Sequence, residues 1–295
     1  MRTFIIGTDW WTDCDDAVAL RILFKAHREK QIKLLGIGIN ACMEYSVTSM
    51  EGFMNLEGVE GIPLGIDSDA TDFGGKPPYQ ERLSQYAKMY SSNEDVQDAV
   101  RMYRQILSEI DEKTEIIEIG YPQVLSNLLD SKADDITDKS GLKLVEEKVS
   151  KIWMMAGKWD EEKGLENNFK RNARSREASH RFLNMCPVPV TFLGWEVGYD
   201  VITGGNLKKD DHLYQVLCDH KSYEGRMSWD PMLVLLALKG DEQEAGYDTV
   251  SGVAHVDAKT GENSFSRCED GIFKYVVRNK DKDYYKKEID TLIER

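Results

Sequence analysis

The sequence predicts an α/β fold with a single open, mostly parallel central sheet and helices on both faces of that sheet. Three observations lead to this fold class. Short apolar runs rich in β-branched residues recur along the chain, and stretches with helical periodicity separate them. No Pro/Gly/Ser-rich linker and no internal repeat interrupts the alternation. Because strands that alternate with helices favour a parallel sheet, we predict one domain over residues 1–295.

Six apolar runs are the predicted strands, because each is short and is bounded by glycine or polar residues. These strands cover residues 3–7, 33–39, 63–67, 114–119, 151–155 and 187–193. The predicted helices cover residues 15–28, 44–57, 80–91, 95–110, 122–131, 175–184, 211–219 and 230–239. Two highly polar segments, 158–174 and 221–229, are predicted to be loops of the kind that often carries function.

The end of the chain differs in character from the α/β part. Residues 249–277 are predicted to form two strands, which the turn-rich segment 257–262 joins in a pattern compatible with a hairpin. The charged stretch 280–295 is predicted to be an exposed helix.

Composition and charge restrict the classes of partner. The formal net charge of −14 opposes binding to phosphate backbones and to anionic lipid, so we expect neither nucleic acid nor membrane partners. No apolar stretch approaches the roughly 20 residues of a membrane-spanning helix, and we expect no secretory signal at the N-terminus. Five widely spaced cysteines favour free thiols in a reducing compartment, so a cytoplasmic location is predicted.

An acidic cluster directly follows the first predicted strand and contains Asp9, Asp13, Asp15 and Asp16. The carboxyl ends of strands are the places where open α/β sheets bind ligands. Two like charges about 4 Å apart repel by roughly 4 kcal/mol at an effective dielectric of 20. One or two aspartates would be enough to cap the helix that follows, so four carboxylates indicate a cation site.

Further oxygen ligands for a cation are expected at the ends of other strands. The candidates are a backbone carbonyl near Gly120, the polar run at 166–168, and Asp230. Asp230 precedes Pro231, so a role as a helix N-cap explains it equally well. Carboxylates, amides and carbonyls with neither His nor Cys beside them suit a hard cation, calcium or magnesium.

Four tryptophans lie next to the loops that carry these polar groups. They are Trp10, Trp11, Trp195 and Trp229. Aromatic side chains beside polar clusters predict a pocket that stacks a flat or sugar-like ligand. Cys14 lies inside the acidic loop, where the neighbouring carboxylates disfavour a thiolate, so we do not expect it to be a nucleophile.

The ordered set of motifs resembles one known family. Residues 8–20, with their four aspartates, are similar to the N-terminal acidic signature of the inosine/uridine-preferring nucleoside hydrolases, in a longer-loop form with two extra residues. The later motifs that resemble the family, in the same order, are residues 38–40, 119–120, 155–157, 166–169, 194–198 and 229–231. The resemblance covers about residues 3–240 and implies the family's Rossmann-like architecture.

The resemblance also implies an activity and a set of site residues. The protein would cleave the N-glycosidic bond of a ribonucleoside or related riboside to ribose and free base, using a calcium-activated water. The implied calcium ligands are Asp9, a bidentate Asp16, the Ile119 carbonyl and Asp230, and Asp9 would also take the proton of the water. The implied ribose ligands are Asp15, Asn40, Glu166 and Asn168. Members of the family commonly assemble as dimers or tetramers, which implies a homo-oligomer.

These implied roles agree with the chemistry of N-riboside cleavage. The sugar passes through an oxocarbenium-like state, as it does in glycoside hydrolysis. A metal ion orients a water and lowers its pKa. Carboxylates around the ribose stabilise the positive charge that develops on it.

The sequence departs from the family pattern at three places. Gly7 stands where many members carry another aspartate, and Trp229 stands where many carry a histidine linked to protonation of the departing base. The adjacent pair Asn167 and Asn168 leaves the position of the ribose-binding asparagine open by one residue.

The change at Trp229 affects the departure of the base. An indole is not a general acid near neutral pH, so we predict that Trp229 stacks against the aglycone. Ribosides with good leaving groups, such as p-nitrophenyl riboside, should then be cleaved far better than inosine or uridine. The exception would be an acid supplied by Tyr199, Glu196 or the 221–229 loop, and the sequence does not choose among them.

Two other functions are compatible with the sequence. The segment Asp13-Cys14-Asp15 resembles the DxD motif of haloacid-dehalogenase-type phosphohydrolases, although Asp9 at the strand end is followed two positions on by Trp11. A non-catalytic ribose- or nucleoside-binding protein of the same fold would keep the pocket and lack the leaving-group acid.

Overall fold

The computed structural model describes residues 1–294. Arg295, the last residue of the predicted helix 280–295 and of the predicted domain, lies outside the described residues. The strands are β1 (Arg2–Thr8), β2 (Ile32–Ile39), β3 (Leu64–Ile66), β4 (Gln97–Asp98), β5 (Thr114–Glu118), β6 (Val149–Met155), β7 (Val190–Leu193), β8 (Ile202–Thr203), β9 (Arg226–Met227), β10 (Tyr247–Val256), β11 (Asn263–Arg267) and β12 (Phe273–Arg278). The α-helices are α1 (Asp15–Arg28), α2 (Ser46–Glu57), α3 (Gln80–Ser84), α4 (Ala99–Glu109), α5 (Gln123–Asp130), α6 (Gly141–Lys148), α7 (Asn167–Lys170), α8 (Ala173–Met185), α9 (Trp195–Gly198), α10 (His212–Asp219), α11 (Trp229–Lys239) and α12 (Lys282–Ile293). A 3₁₀ turn covers Asn93–Asp95.

Ten strands form one sheet in the order β11–β10–β12–β7–β6–β5–β1–β2–β3–β4. Every neighbouring pair from β12 to β4 is parallel, whereas β10 pairs antiparallel with both β11 and β12. The chain runs outward from β1 to β4 and then returns to β5 on the other side of β1. The boundary between β1 and β5 is therefore the topological switch point, where sheets of this kind bind ligands. The predicted mostly parallel central sheet is confirmed.

Helices bury the sheet on both faces, because successive side chains of a strand point to opposite sides. In β1, Phe4 and Ile6 pack in the core that includes residues of α1, α2 and α11, whereas Ile5 packs with residues of α4, α5 and α8. Helix α12 adds Tyr285 and Ile289, both fully buried, to the first core. The prediction that the terminal helix is exposed is therefore wrong, since its apolar face packs against the domain.

At three predicted boundaries, side-chain hydrogen bonds or a proline replace the regular structure that was expected. The predicted helix 80–91 ends at Ser84, since the backbone N–H groups of residues 88–90 donate to the Glu51 carboxylate and not to a helix. The predicted helix 95–110 begins at Ala99, because the Asp98 side chain caps it. Strand β7 begins after Pro189, which has no N–H to give to the ladder.

The C-terminal region contains three strands where two were predicted. Strands β10 and β11 are joined by residues 257–262 as expected, and β12 returns to pair with β7 in the main sheet. The predicted loop 158–174 includes the short helix α7, and the predicted loop 221–229 includes β9, which pairs with β8. Within residues 1–294, no helix combines the length and apolar character needed to cross a bilayer.

Candidate active site

A cavity of about 220 Å³ lies beyond the carboxyl ends of β1, β5 and β6, at the switch point of the sheet. Its walls include eight of the nine predicted site residues, namely Asp9, Asp15, Asp16, Ile119, Glu166, Asn168, Trp229 and Asp230. Trp11, Trp195, Asn167 and Arg226 also contribute to the walls. The sequence motifs that lie far apart along the chain therefore converge on one cavity.

Three buried carboxylates form the acidic centre of this cavity. One oxygen from each of Asp15, Asp16 and Asp230 lies within 4.8 Å of the others, and all three residues are buried. Asp15 and Asp16 begin helix α1, and Asp230 lies in the first turn of α11, which packs on α1. The backbone N–H of Asp230 donates to Asp15 Oδ2 at 3.4 Å. This all-oxygen donor set could hold a metal ion, and its chemistry fits a hard cation.

The loop between β1 and α1 is held tightly around this centre. The Thr8 hydroxyl donates to Asp16 Oδ1, and the Trp11 N–H donates to Asp9 Oδ1 at 3.2 Å. Trp10 has a φ of 44°, which is a strained conformation for a residue other than glycine. Its indole is fully buried and donates to Ser49 Oγ at 2.8 Å, so Trp10 anchors the loop in the core. The prediction that Trp10 belongs to the ligand pocket is wrong for this reason.

Burial and mutual repulsion raise the pKa values of the clustered carboxyl groups. Burial, reinforced by the charges of Asp15 and Asp13, raises the pKa of Asp9 to about 8. Burial and neighbouring carboxylates also raise the pKa values of Asp15, Asp16 and Asp230 well above the ordinary aspartate value. Without a cation, the folded protein therefore tends to keep protons on these groups.

We expect calcium to stabilise the protein more as the pH rises. The carboxyl group of Asp9 ionises near 3.8 when unconstrained and near 8 in the folded, metal-free protein. Its contribution to the free energy of unfolding is therefore complete below about pH 4 and is lost as the pH rises through about 8. A cation needs the ionised carboxylates and replaces their protons, which reverses that loss.

Thermal unfolding in chelator and in excess calcium measures this effect. The increase in Tm on adding calcium should be small at about pH 5 and large at about pH 8. Equal increases at the two pH values would contradict a calcium site built from these carboxyl groups.

Asp13 differs from the other aspartates of the loop because it forms an ion pair. Arg226 donates from Nε to Asp13 Oδ1 at 2.8 Å and from Nη2 to Oδ2, and the Cys14 N–H adds a bond of 2.7 Å. Although burial acts in the opposite direction, the hydrogen bonds and charge of Arg226 hold the pKa of Asp13 below its ordinary value. Of the four acidic residues in the loop, Asp13 is thus the one that is neutralised by the protein itself.

The polar run at 166–168 lines the cavity through a helix cap. Glu166 caps α7, and its two carboxylate oxygens accept from the N–H groups of Gly157 (3.0 Å) and Asn168 (2.8 Å). Burial raises the pKa of Glu166 to about 7. Asn168 is buried and donates to the Met155 carbonyl at 2.8 Å, while the more exposed Asn167 donates to the Tyr121 hydroxyl at 3.2 Å. Both asparagines line the cavity, so the geometry keeps both positions available to a sugar.

Asn40, which is predicted to be a ribose ligand, is fully buried and is not among the residues that line the cavity. Its Nδ2 donates to Glu118 Oε1 at 2.8 Å, and its Oδ1 accepts from the Tyr121 N–H at 3.0 Å. Its carbonyl accepts from Gln123 Nε2. These hydrogen bonds tie Asn40 to the loop at 119–121, and its role as a ribose ligand stays a prediction.

Glu118 occupies the space that a side chain at position 7 would need. Gly7 and Glu118 are register partners in β1 and β5, and a Cβ built on Gly7 would collide with the Glu118 carboxyl group. This carboxyl is fully buried, accepts from the Gly120 N–H at 3.0 Å, and has its pKa raised to about 8 by burial. The neighbouring strand β5 therefore places an acidic group at the position where the family resemblance predicts an aspartate on β1.

Replacing Gly7 with alanine should lower the free energy of unfolding by about 1–3 kcal/mol, the usual cost of overpacking a core. The new methyl group would displace the Glu118 carboxyl from Asn40 and Gly120. Urea unfolding of the single variants Gly7→Ala and Glu118→Ala and of the double variant measures the coupling. Gly7→Ala should lower the free energy of unfolding much less in the Glu118→Ala background than in the wild type. Equal decreases in the two backgrounds would refute the steric argument.

Three tryptophans form the aromatic part of the cavity wall. Trp229 lies 6.3 Å from Trp195 between ring centroids, and Trp195 stacks on Tyr199 at 5.1 Å. Trp11 lies under the guanidinium group of Arg171, whose central carbon is 4.4 Å from the ring centroid. This arrangement can stack a flat aglycone, as predicted for Trp229.

Sequence reasoning did not single out Arg226 or Glu118. A single arginine in a polar loop has no distinctive pattern, although the loop at 221–229 itself was identified as a functional candidate. Glu118 had a signal, because it is an acidic residue inside the apolar strand run 114–119. Its relation to Gly7 depends on strand order, which the sequence does not state.

Comparison with solved structures places this architecture among known ones. No protein-family sequence model matches the chain, and no curated protein matches it in sequence. The inosine-uridine preferring nucleoside hydrolase from Bacillus anthracis superposes with a TM-score of 0.68 at 15% identity, covering 99% of each chain. The purine-preferring ribonucleoside hydrolase from Gardnerella vaginalis gives a TM-score of 0.73 at 16% identity, covering 99% of this chain and 98% of the other.

A third similar structure is the type III effector protein XopQ complexed with adenosine diphosphate ribose. It gives a TM-score of 0.68 at 13% identity, covering 99% of this chain and 93% of the other. These similarities extend over nearly the whole length of the chain, including the strands that carry the cavity. The chain therefore has the α/β fold of the nucleoside hydrolases.

Proposed function

We propose that the chain is a single-domain, calcium-dependent N-ribohydrolase that cleaves a ribonucleoside or related riboside into ribose and free base. The observation that carries this proposal is the composition of the cavity at the switch point. Buried carboxylates, amide side chains and an aromatic wall line one space of about 220 Å³, which is small enough to enclose a sugar. The hydroxyl groups of a riboside can bind the carboxylates and amides, and its flat base can stack on the aromatic wall.

The donor set supports calcium binding. The proposed ligands are Asp9, Asp16, the Ile119 carbonyl and Asp230, all from residues that line the cavity. A calcium ion held there would supply Lewis acidity, lowering the pKa of a water and relieving the repulsion among the carboxylates. Asp15 lies in the same buried group as Asp16 and Asp230, so it is within reach of the same cation, and we assign it to a ribose hydroxyl.

The chain's own residues account for the remaining requirements of hydrolysis. Asp9 accepts the proton of the attacking water, because its carboxylate lines the cavity beside the acidic centre and a bound cation would keep it ionised. The carboxylates of Asp15 and Glu166 accept hydrogen bonds from the ribose hydroxyls, and the amide of Asn168 can donate to them or accept from them. The buried carboxylates also stabilise the positive charge that develops on the sugar. Asn40 stays a predicted ribose ligand, although it does not line the cavity.

Release of free ribose from a panel of ribosides tests the proposal. The purified protein is incubated with calcium and with inosine, uridine and p-nitrophenyl riboside, each of which yields free ribose when its glycosidic bond is hydrolysed. Calcium-dependent ribose release from at least one compound is the expected result. A chelator-treated sample is the matched control.

A non-catalytic ribose- or nucleoside-binding protein is the second candidate. The observation that favours it is Trp229, which supplies no acid for a departing base. Tight, calcium-dependent nucleoside binding with no ribose release from any compound in the panel would establish this candidate and reject the hydrolase. Homo-oligomer formation and a cytoplasmic location stay predictions.

A further inference from the structure

Arg226 is the only cationic side chain among the described residues that line the cavity. It lies on β9, and its guanidinium carbon is 5.5 Å from the ring centroid of Trp229. The surrounding wall otherwise consists of carboxylates, amides, aromatic rings and aliphatic groups. This positive charge therefore lies beside the tryptophan that is predicted to stack on the aglycone.

Neither Glu196 nor Tyr199, the two residues named as candidate leaving-group acids, is placed to act on a base, and the indole N–H of Trp229 is also engaged. The Trp229 indole N–H already donates to the Trp195 carbonyl at 2.8 Å. The Glu196 carboxylate accepts from the Trp159 N–H at 3.2 Å, and Tyr199 stacks behind Trp195. Neither Glu196 nor Tyr199 lines the cavity. Within the described part of the wall, the 221–229 loop therefore contributes a cation and no acid.

The guanidinium group of Arg226 is held in place with one edge still available. Nε and Nη2 bind the two oxygens of Asp13, which is itself held by the Cys14 N–H. Among residues 1–294, the hydrogen bond found for Nη1 is to the Met227 sulfur at 3.9 Å, a weak acceptor. An arginine keeps its charge at every working pH, so this edge can donate to a negatively charged or strongly accepting ligand atom.

We propose that Arg226 stabilises the departing base as an anion, so that the cavity selects ribosides whose aglycone is a stable, hydrogen-bond-accepting anion. This inference rests on the proposed hydrolase function. The bond between the anomeric carbon and the base nitrogen breaks, and its electron pair stays on the base. The water oxygen bonds to the anomeric carbon, and the water's proton passes to Asp9. The base leaves beside Arg226 without being protonated and takes up a proton in solution.

This assignment predicts a class of substrate. Charge on the aglycone can be met by Arg226, while its ring packs against Trp229. Ribosides of acidic heterocycles and of phenols fit this arrangement, whereas a base that must be protonated before it leaves is a poor substrate. Hydrogen-bond donors aimed at developing negative charge are typically worth about 100-fold or more in rate.

A series of substituted phenyl ribosides tests the inference through kcat/KM. The dependence of log(kcat/KM) on the pKa of the phenol should be clearly steeper for Arg226→Met than for the wild type. The loss should be on the order of 100-fold for the poorest leaving group and much smaller for p-nitrophenol. Arg226→Lys should fall between the two, because it keeps the charge without the planar fork. An unchanged slope would overturn the inference, since a merely structural defect lowers all substrates alike.

Removing Arg226 leaves the Asp13 carboxylate without its ion-pair partner, so the effect of that unpaired charge needs its own control. The double variant Asp13→Asn/Arg226→Met removes that charge together with the guanidinium group. A slope that stays as steep as in Arg226→Met supports the role of the cation. Recovery of the wild-type slope in the double variant would show that the unpaired carboxylate caused the defect, and would overturn the inference.

Binding of p-nitrophenolate separates this inference from the proposed function. The calcium-loaded protein is titrated at about pH 9, where the probe is an anion, and quenching of tryptophan fluorescence reports binding near Trp195 and Trp229. Arg226→Met should weaken binding about tenfold or more. Equal affinities would overturn the anion subsite. If the wild type releases ribose from no riboside, the hydrolase proposal fails, and this titration still decides whether Arg226 forms an anion subsite.

Discussion

Replacing Asp9 with asparagine should reduce riboside hydrolysis by about 10²- to 10⁴-fold while the protein stays folded. An amide oxygen can still accept the hydrogen bond from the Trp11 N–H, so the loop keeps its local contact. An amide cannot take a proton from water, so the proposed base is lost. Ribose release under saturating calcium measures the effect, and circular dichroism checks the fold.

Asp67→Asn is a matched control for this experiment. Asp67 also follows a parallel strand, is buried, and has a pKa raised by burial, but it does not line the cavity. Its replacement should leave hydrolysis within about threefold of the wild type. If Asp9→Asn also stays within that range, Asp9 is not the base, and the acidic centre acts through another residue.

Replacing Asp16 with asparagine should lower calcium affinity on the order of 100-fold or more, because a hard cation loses a negative charge and the proposed bidentate ligand. Asp16 is buried in one group with Asp15 and Asp230, and burial together with the charges of neighbouring carboxylates raises the pKa values of all three. Removing one charge should therefore raise the Tm of the chelator-treated protein at about pH 8. Calcium titration by calorimetry and thermal unfolding measure the two effects.

The opposite signs of these two effects distinguish a cation site from a merely structural cluster. A structural role would lower the Tm of the chelator-treated variant and leave calcium binding, if any, unchanged. Asp67→Asn again serves as the control, with calcium affinity expected to stay within about threefold of the wild type. Unchanged calcium stoichiometry and affinity in Asp16→Asn would rule out this site.

The sequence alone was sufficient for the main elements of the α/β fold. Strands such as 3–7 and 33–39 are short apolar runs, and the predicted bounds of helix α1 match the observed ones, since its apolar periodicity begins directly after the acidic loop. These signals are local, because propensity and burial pattern act over a few neighbouring residues. The helix predicted over 80–91 is wrong beyond Ser84 because a distant carboxylate, Glu51, takes the backbone N–H groups of residues 88–90.

Most residues of the candidate site could also be predicted from the sequence. Polar side chains at the carboxyl ends of parallel strands meet at one edge of the sheet, so the sequence pattern is enough to group Asp9 with Glu166. Asp230 instead follows β9 of the separate two-stranded sheet and lies in the first turn of α11, so strand direction does not group it with the other two, whereas the resemblance does. The fold brings these three residues to one cavity. Their chemical roles stay proposals, since position in a fold does not by itself establish function.

What the sequence by itself determined is the fold class and the presence of an oxygen-rich site after the first strand, because both follow from local pattern and strand direction. Only the tertiary structure decided which acidic residues of the loop form an ion pair and which join the buried acidic centre. Asp13 pairs with Arg226, 213 positions away, while Asp15 and Asp16 meet Asp230. Glu118 fills the space beside Gly7 across a strand boundary. Such pairings depend on strand order and helix packing, which join residues that no local rule connects.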